Sequence, residues 1–324
     1  MAATGNWAFP DSLQPRAEEL AFDLEAALDG VVMLRSEVPE EAFTAGILGT
    51  ERLGNGAVIR EDGLVLTIGY LITEAQTIWL RSNRGAVVAG HALAYDQQTG
   101  FGLVLPLAPL GVAPLRRGSA ADCTVGDEVI LIGHGGRAHA LKARLFAKRE
   151  FAGYWEYVLD EALFTTPAHP QWGGAALLGR DGRLLGIGSL LVQEAQGEKS
   201  FQGNMVVPVD LLEPILEDML SRGRANRPAR PWLGLYAQEL EGRIVVGGLA
   251  TGGPADRAGV ELGDQLLEVA GAPVAGLADF FRKVWRLGPA GTAVAITLQR
   301  RGARVEARLA SADRSDFLLK PRLH

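Results

Sequence analysis

The sequence predicts a mostly β chain in which barrels are followed by a smaller second domain, and three observations carry that prediction. From about residue 46 to 210 the chain consists of short apolar runs punctuated by glycine. Within that region a turn-centred device occurs twice, in GAVIREDGLVLTI (56–68) around Glu61-Asp62-Gly63 and in GAALLGRDGRLLGIGSLLV (174–192) around Arg180-Asp181-Gly182. Finally RGRANRPARP (222–231) is basic, proline-bearing and free of large apolar residues, the composition of a linker.

In chain order, PRAEELAFDLEAALDGVVML (15–34) places apolar residues at helical intervals before a β-branched run, which predicts a docking helix leading into a first strand. The barrels follow. VVPVDLLEPILEDMLSRG (206–223) predicts a closing helix capped by Asp210. Beyond the linker, strands are expected at 232–235, 243–247, 264–270 and 293–299, with one helix near 276–287. The domain plan is therefore 1–45, amino-terminal segment and docking helix; 46–221, barrels; 222–230, linker; 231–312, second domain; and 313–324, tail.

Composition narrows the function classes. The 324 residues carry 32 basic and 38 acidic side chains, a net −6, so no chain-wide positive field exists to hold nucleic acid or an anionic membrane. Cys123 is the one cysteine, which rules out an intrachain disulfide and favours a small packed residue over a nucleophile. No run reaches the ~18 to 20 apolar residues of a membrane span, and the amino-terminal stretch lacks a leader pattern, so a cytoplasmic protein is expected. His134 and His139 in GHGGRAH have no third ligand near them in the sequence, and neither a metal nor a cofactor is expected.

Four stretches resemble the HtrA-type serine proteases, trypsin-like enzymes of chymotrypsin fold followed by a PDZ domain. GNGAVIREDGLVLTIGYLI (54–72) is similar to the strands that end in the family's histidine, and AYDQQTGFGLVLPL (94–107) to the segment bearing its aspartate. GSAADCTVGDEVILIG (118–133) looks like the family's strand after a Val-Gly-Asp turn. PQWGGAALLGRDGRLLGIGSLL (170–191) resembles the nucleophile loop and the hairpin behind it, keeping the Gly173-Gly174 pair. The resemblance implies a double β-barrel followed by a PDZ domain.

It also assigns the triad positions, and these hold Tyr70 for histidine, Gly100 for aspartate and Trp172 for serine. A triad needs a hydroxyl nucleophile, an imidazole base and a carboxylate to orient it. Losing the base or nucleophile costs about a millionfold, roughly 8 kcal/mol. Where the family draws an oxyanion-hole donor stands Pro170, which has no N–H, leaving the backbone of Trp172. The expectation is an inactive protease homologue, with Tyr70 and Trp172 filling the former cleft. FAGYWEYVLDEALF (151–164) concentrates Tyr154, Trp155 and Tyr157, which suits either packing or a partner-binding patch.

The second domain resembles a PDZ domain of the circularly permuted bacterial kind. PWLGLY (231–236) is similar to its carboxylate-binding loop, GGPADRAGVELGDQLLEVAGAPV (252–274) to its most recognisable stretch, and LADFFRKVWRLGPAG (277–291) to its groove helix. The resemblance implies binding of polypeptide carboxy-termini, with Trp232, Leu233, Gly234 and Leu235 at the carboxylate and Phe280, Phe281 and Val284 as pocket candidates. The chain's own tail, FLLKPRLH, ends in His324, a poor apolar anchor, so capture of a partner is expected over self-occupation.

Three functions follow as alternatives: a peptide-binding scaffold or adaptor, a residual or rewired serine endopeptidase, and a structural subunit of a larger complex. Trp7 and Phe9 in NWAFP lie where family members commonly place a trimer contact, so a homotrimer is the expected assembly.

Overall fold

The computed structural model describes residues 7–196 and 199–319. The architecture is the expected one: mostly β, a trypsin-like double barrel and a PDZ domain. The chain divides into two compact units. One takes the residues up to Arg149 together with Glu161–Asn226; the other takes Glu150–Asp160 and Arg227–Leu318.

In the first unit, helix α1 (Leu24–Asp29) begins where the Asp23 carboxylate accepts from the Ala26 N–H at 3.0 Å, and it buries Leu24, Ala27 and Leu28. Strand β1 (Val31–Glu37), short helix α2 (Ala45–Leu48), and strands β2 (Glu51–Val58), β3 (Val65–Ile68), β4 (Thr77–Arg81), β5 (Val87–Tyr95) and β6 (Phe101–Pro106) follow. The strands close into a barrel in the order β1-β2-β3-β6-β5-β4. A second barrel, ordered β10-β11-β12-β9-β8-β7, is built from β7 (Glu128–Ile132), β8 (Ala140–Gly153), β9 (Tyr157–Thr166), β10 (Ala176–Leu178), β11 (Leu184–Gln196) and β12 (Lys199–Pro208). Alternation along these strands aims Val129, Leu131, Leu141, Leu145, Leu163, Leu177 and Val206 into one interior.

The closing helix is shorter than its periodicity predicts. Helix α3 spans Leu216–Arg222 and starts only after Pro214, which lacks an N–H and biases Glu213 away from helical backbone. Asp210 does not cap it. Its carboxylate instead accepts from the Ala120 N–H at 2.7 Å and from the Ser119 hydroxyl.

The second unit is an antiparallel sheet ordered β13-β14-β15-β17-β18, made of β13 (Leu235–Leu240), β14 (Arg243–Leu249), β15 (Gln265–Val269), β17 (Ala293–Arg300) and β18 (Ala303–Ala310), with the two-residue β16 (Ala272–Pro273) beside β15. Helices α4 (Pro254–Arg257) and α5 (Leu277–Arg286) complete it. Phe280, Phe281 and Val284 on α5 are fully buried with Leu233, Leu266 and Ile296 in the unit's core. Strand β18 extends beyond the expected elements, and β13 begins where the first expected strand ends. Residues Trp232–Gly234 are not in that ladder because Leu233 and Gly234 turn their N–H groups to a side chain. As the end of the main strand order, β13 is an edge strand.

Candidate functional site

In the barrel unit the loop before β10 is held by Asn55 of β2, which is 2% exposed. Its backbone N–H donates to Gly173 O at 2.8 Å, its amide donates to Gln171 O at 2.9 Å and Gly173 O at 3.2 Å, and its side-chain oxygen accepts from the His134 N–H at 2.8 Å. One amide thus satisfies three backbone groups from two loops. The Gly173-Gly174 pair has a steric cause as well: Gly174 has φ +75°, and a Cβ there would lie 1.8 Å from Asn55 O.

His169, three residues before Trp172, has no solvent exposure. Its Nδ1 accepts from the Gln171 N–H at 3.0 Å, so its Nε2 carries the proton and donates to His139 O at 2.9 Å. Burial lowers its pKa from 6.5 to about 4. Trp7 and Phe9 pack edge-on against this ring, with centroids 5.7 and 5.1 Å away.

Tyr70 and Trp172 are brought together. The Tyr70 hydroxyl donates to Ser189 O at 2.8 Å, and the Trp172 side chain is its other hydrogen-bonding neighbour. Burial pushes the Tyr70 phenol well above its ordinary value. Gly100 lies in the turn before β6, where its carbonyl accepts from the Gly69 N–H at 2.7 Å and its own N–H donates to Asp96 O at 2.9 Å. Cys123 is buried, and burial raises its thiol pKa. Among the described residues no group of three or more His, Cys, Asp or Glu is arranged to hold a metal, and no helix is long and apolar enough to cross a membrane.

The second unit holds a fully formed carboxylate site. The N–H groups of Leu233, Gly234 and Leu235 converge on the Glu156 carboxylate: Leu233 N lies 3.1 and 3.0 Å from its two oxygens, Gly234 N 2.8 Å and Leu235 N 3.3 Å from Oε1. Gly234 makes this possible with φ +73°, since a Cβ there would meet Trp232, Ala250 and Pro254 at 3.1–3.3 Å. Glu156 is 7% exposed, and burial raises its pKa from 4.5 to about 7 against the lowering effect of the three N–H groups and of Arg314. Two residues upstream, Tyr154 O accepts from the Ala237 N–H of β13 at 3.1 Å. The sequence draws attention to the aromatics of this stretch and not to Glu156. The expectation about the chain's own tail falls on residues 320–324, outside the described residues; the carboxylate in the cradle is that of Glu156.

The site and fold define a trypsin-like peptidase domain followed by a PDZ domain. Residues 54–187 match the trypsin-like peptidase domain family and residues 231–310 the PDZ domain family. In domain content the chain therefore joins a trypsin-like peptidase domain to a PDZ domain, and it is similar in sequence and fold to HtrA/DegP-like serine proteases. It is 24% identical over 285 residues to a probable periplasmic serine endoprotease, DegP-like, of Pseudomonas fulva, covering 82% of this chain and 58% of that protein. It is also 24% identical to the serine endoprotease DegS of Haemophilus influenzae, covering 68% of this chain and 66% of that one. The chain spans just over half the length of the DegP-like relatives. Among solved structures, the HtrA-type protease AlgW with a decapeptide superposes with a TM-score of 0.53 at 18% identity, covering 93% of this chain and all of that one (100%). A serine endoprotease from Yersinia pestis gives 0.52 at 21%, covering 91% and 99%. At those identities the structural likeness shows the fold.

These relatives correct two expectations. The expectation that the chain is not an enzyme is overturned, because its relatives are named serine endoproteases and point to a protease. Three substituted side chains describe one inherited arrangement, whereas the likeness extends through both domains. The cytoplasmic expectation is overturned too, since relatives are named periplasmic; the absence of a leader pattern was too weak a signal to set the compartment.

Proposed function

We propose that this chain recognises polypeptide carboxy-termini through its PDZ domain, outside the cytoplasm as its relatives' names indicate. The observation that carries the reading is the convergence of the Leu233, Gly234 and Leu235 N–H groups on a single carboxylate. A terminal carboxylate has the same charge and oxygen spacing, and the edge strand β13 offers main-chain partners to the residues before it. Titration of the full chain with peptides ending in a free apolar residue should give micromolar binding, about −8 kcal/mol. Amidated peptides should not bind; equal binding of both forms would refute the reading.

The names of the relatives carry a second reading, serine endopeptidase activity. Hydrolysis here would draw its nucleophile from outside Tyr70, Gly100 and Trp172, because none of those side chains is an aliphatic hydroxyl or thiol. Casein turnover, with a fluorophosphonate label mapped to its residue, would identify that nucleophile; absence of both turnover and label would remove this reading. For assembly we propose a homotrimer held by the Trp7 and Phe9 segment, which light scattering of Trp7→Ala/Phe9→Ala against the native chain tests.

A further inference from the structure

We propose that the turn Gly153–Glu156 is an internal ligand of the PDZ groove, a stand-in for a polypeptide carboxy-terminus that a partner's terminus must displace in order to bind. This rests on the carboxy-terminus reading and adds what governs access to the same site.

The two contacts that a carboxy-terminal peptide would make are both made by this turn. The Glu156 carboxylate takes the three converging N–H groups, and Tyr154 O takes the Ala237 N–H on the edge of β13. The turn is shaped for the task. Glu156 adopts φ +61°, a left-handed conformation unfavourable for a residue with a Cβ, and that conformation accompanies a carboxylate directed into the cradle. Trp155 stacks on Tyr157 with centroids 5.5 Å apart at 17°, and a Cβ on Gly153 would lie 2.7 Å from the Trp155 ring, so Gly153 leaves room for that stack.

Further contacts hold the flanks. Arg282 on α5 makes ion pairs with both Glu150 and Asp160, the two ends of the segment. Between them Val158 is part of the PDZ core, and Ala152 packs against it. The hairpin therefore engages the cradle, the edge strand and the helix, the same three elements that a bound peptide requires. Because it is tethered, it competes at a high effective concentration, and an incoming terminus sees only the fraction of molecules in which the turn is released.

The test uses the full chain, its Glu156→Ala and Glu156→Gln variants, and a peptide library with randomised carboxy-terminal residues, in free-acid and amidated forms. Removing the internal carboxylate should tighten free-acid binding about tenfold or more, with Glu156→Gln intermediate, because the competent fraction rises. Peptide bound to the native chain should speed hydrogen exchange at residues 150–160. Arg282→Ala should also tighten binding while leaving the cradle intact. If native and Glu156→Ala proteins, both folded by circular dichroism, bind the same free-acid peptides equally well, the internal-ligand proposal fails and the carboxy-terminus reading stands. Bound peptide that leaves exchange at 150–160 unchanged overturns the proposal in the same way. Folded protein in which neither form binds overturns both.

Discussion

Glu156 Oε1 lies 2.8 Å from the backbone nitrogen of Gly234, so a carboxylate from the hairpin between β8 and β9 sits at the centre of the PDZ cradle. Ordinarily such a carboxylate would be deprotonated near neutrality, but here burial raises its pKa to about 7.

The sign of that shift sets a pH dependence. A carboxyl whose pKa is higher when docked than when free favours docking fully below about 4.5, and the advantage disappears as pH rises through about 7. The groups facing it are Arg314, whose charge opposes the shift, and the Tyr236 phenol, whose own pKa burial raises. Hydrogen exchange at residues 150–160, corrected for intrinsic rates, should therefore increase between pH 5 and 8, by up to about 3 kcal/mol of opening free energy. Glu156→Gln should flatten the profile; an unchanged profile would exclude Glu156 as its source.

His169 predicts the opposite response in the barrel unit. Its pKa is lowered to about 4 by burial, so its contribution is present above about 6.5 and is lost as pH falls towards 4. The loss should reach about 3 kcal/mol. Thermal unfolding followed through peptides of the barrel unit should show acid destabilisation between pH 6.5 and 4.5 that His169→Gln reduces. Identical acid slopes in the two proteins would contradict it.

Asn55→Ala should destabilise the barrel unit by about 2–4 kcal/mol, since Gln171 O and the His134 N–H lose their partner in a buried setting. Asn55→Asp should not rescue it, because a carboxylate cannot donate to Gln171 O or Gly173 O. Urea midpoints decide the matter, and a change below about 0.5 kcal/mol would refute the role.

Phe281→Ala should cost the PDZ unit about 3–5 kcal/mol by opening a cavity in its core, where Phe281 is 1% exposed and lies 5.9 Å from Trp285 in a stacked pair. Denaturant unfolding checks it. Tighter peptide binding without loss of stability would place Phe281 in the groove instead.

Much of the fold was legible because it is encoded locally. The turns at Glu61-Asp62-Gly63 and Arg180-Asp181-Gly182 join β2 to β3 and β10 to β11, since period-2 alternation and turn glycines act over a few residues. The short α3 was misread for the same reason: helical spacing from Val209 onward is real, but Pro214 and the tertiary partners of Asp210 override it. In the candidate site, the cradle at Leu233–Leu235 was visible as a motif because Gly234 supplies a backbone that other residues resist.

The domain types and the turns are set by backbone preferences and contiguous motifs, which is why they can be read along the chain. What fills the cradle is settled by long-range packing. Glu156 is 78 residues from Gly234, and no spacing rule relates them; nor does any relate Asn55 to Gly173, 118 residues away. The Glu156 contact depends on how Arg282 and the PDZ core receive residues 150–160, and the Asn55 contact on how β2 meets the loop before β10; the free energy of each belongs to the assembled surface and to no local stretch of chain.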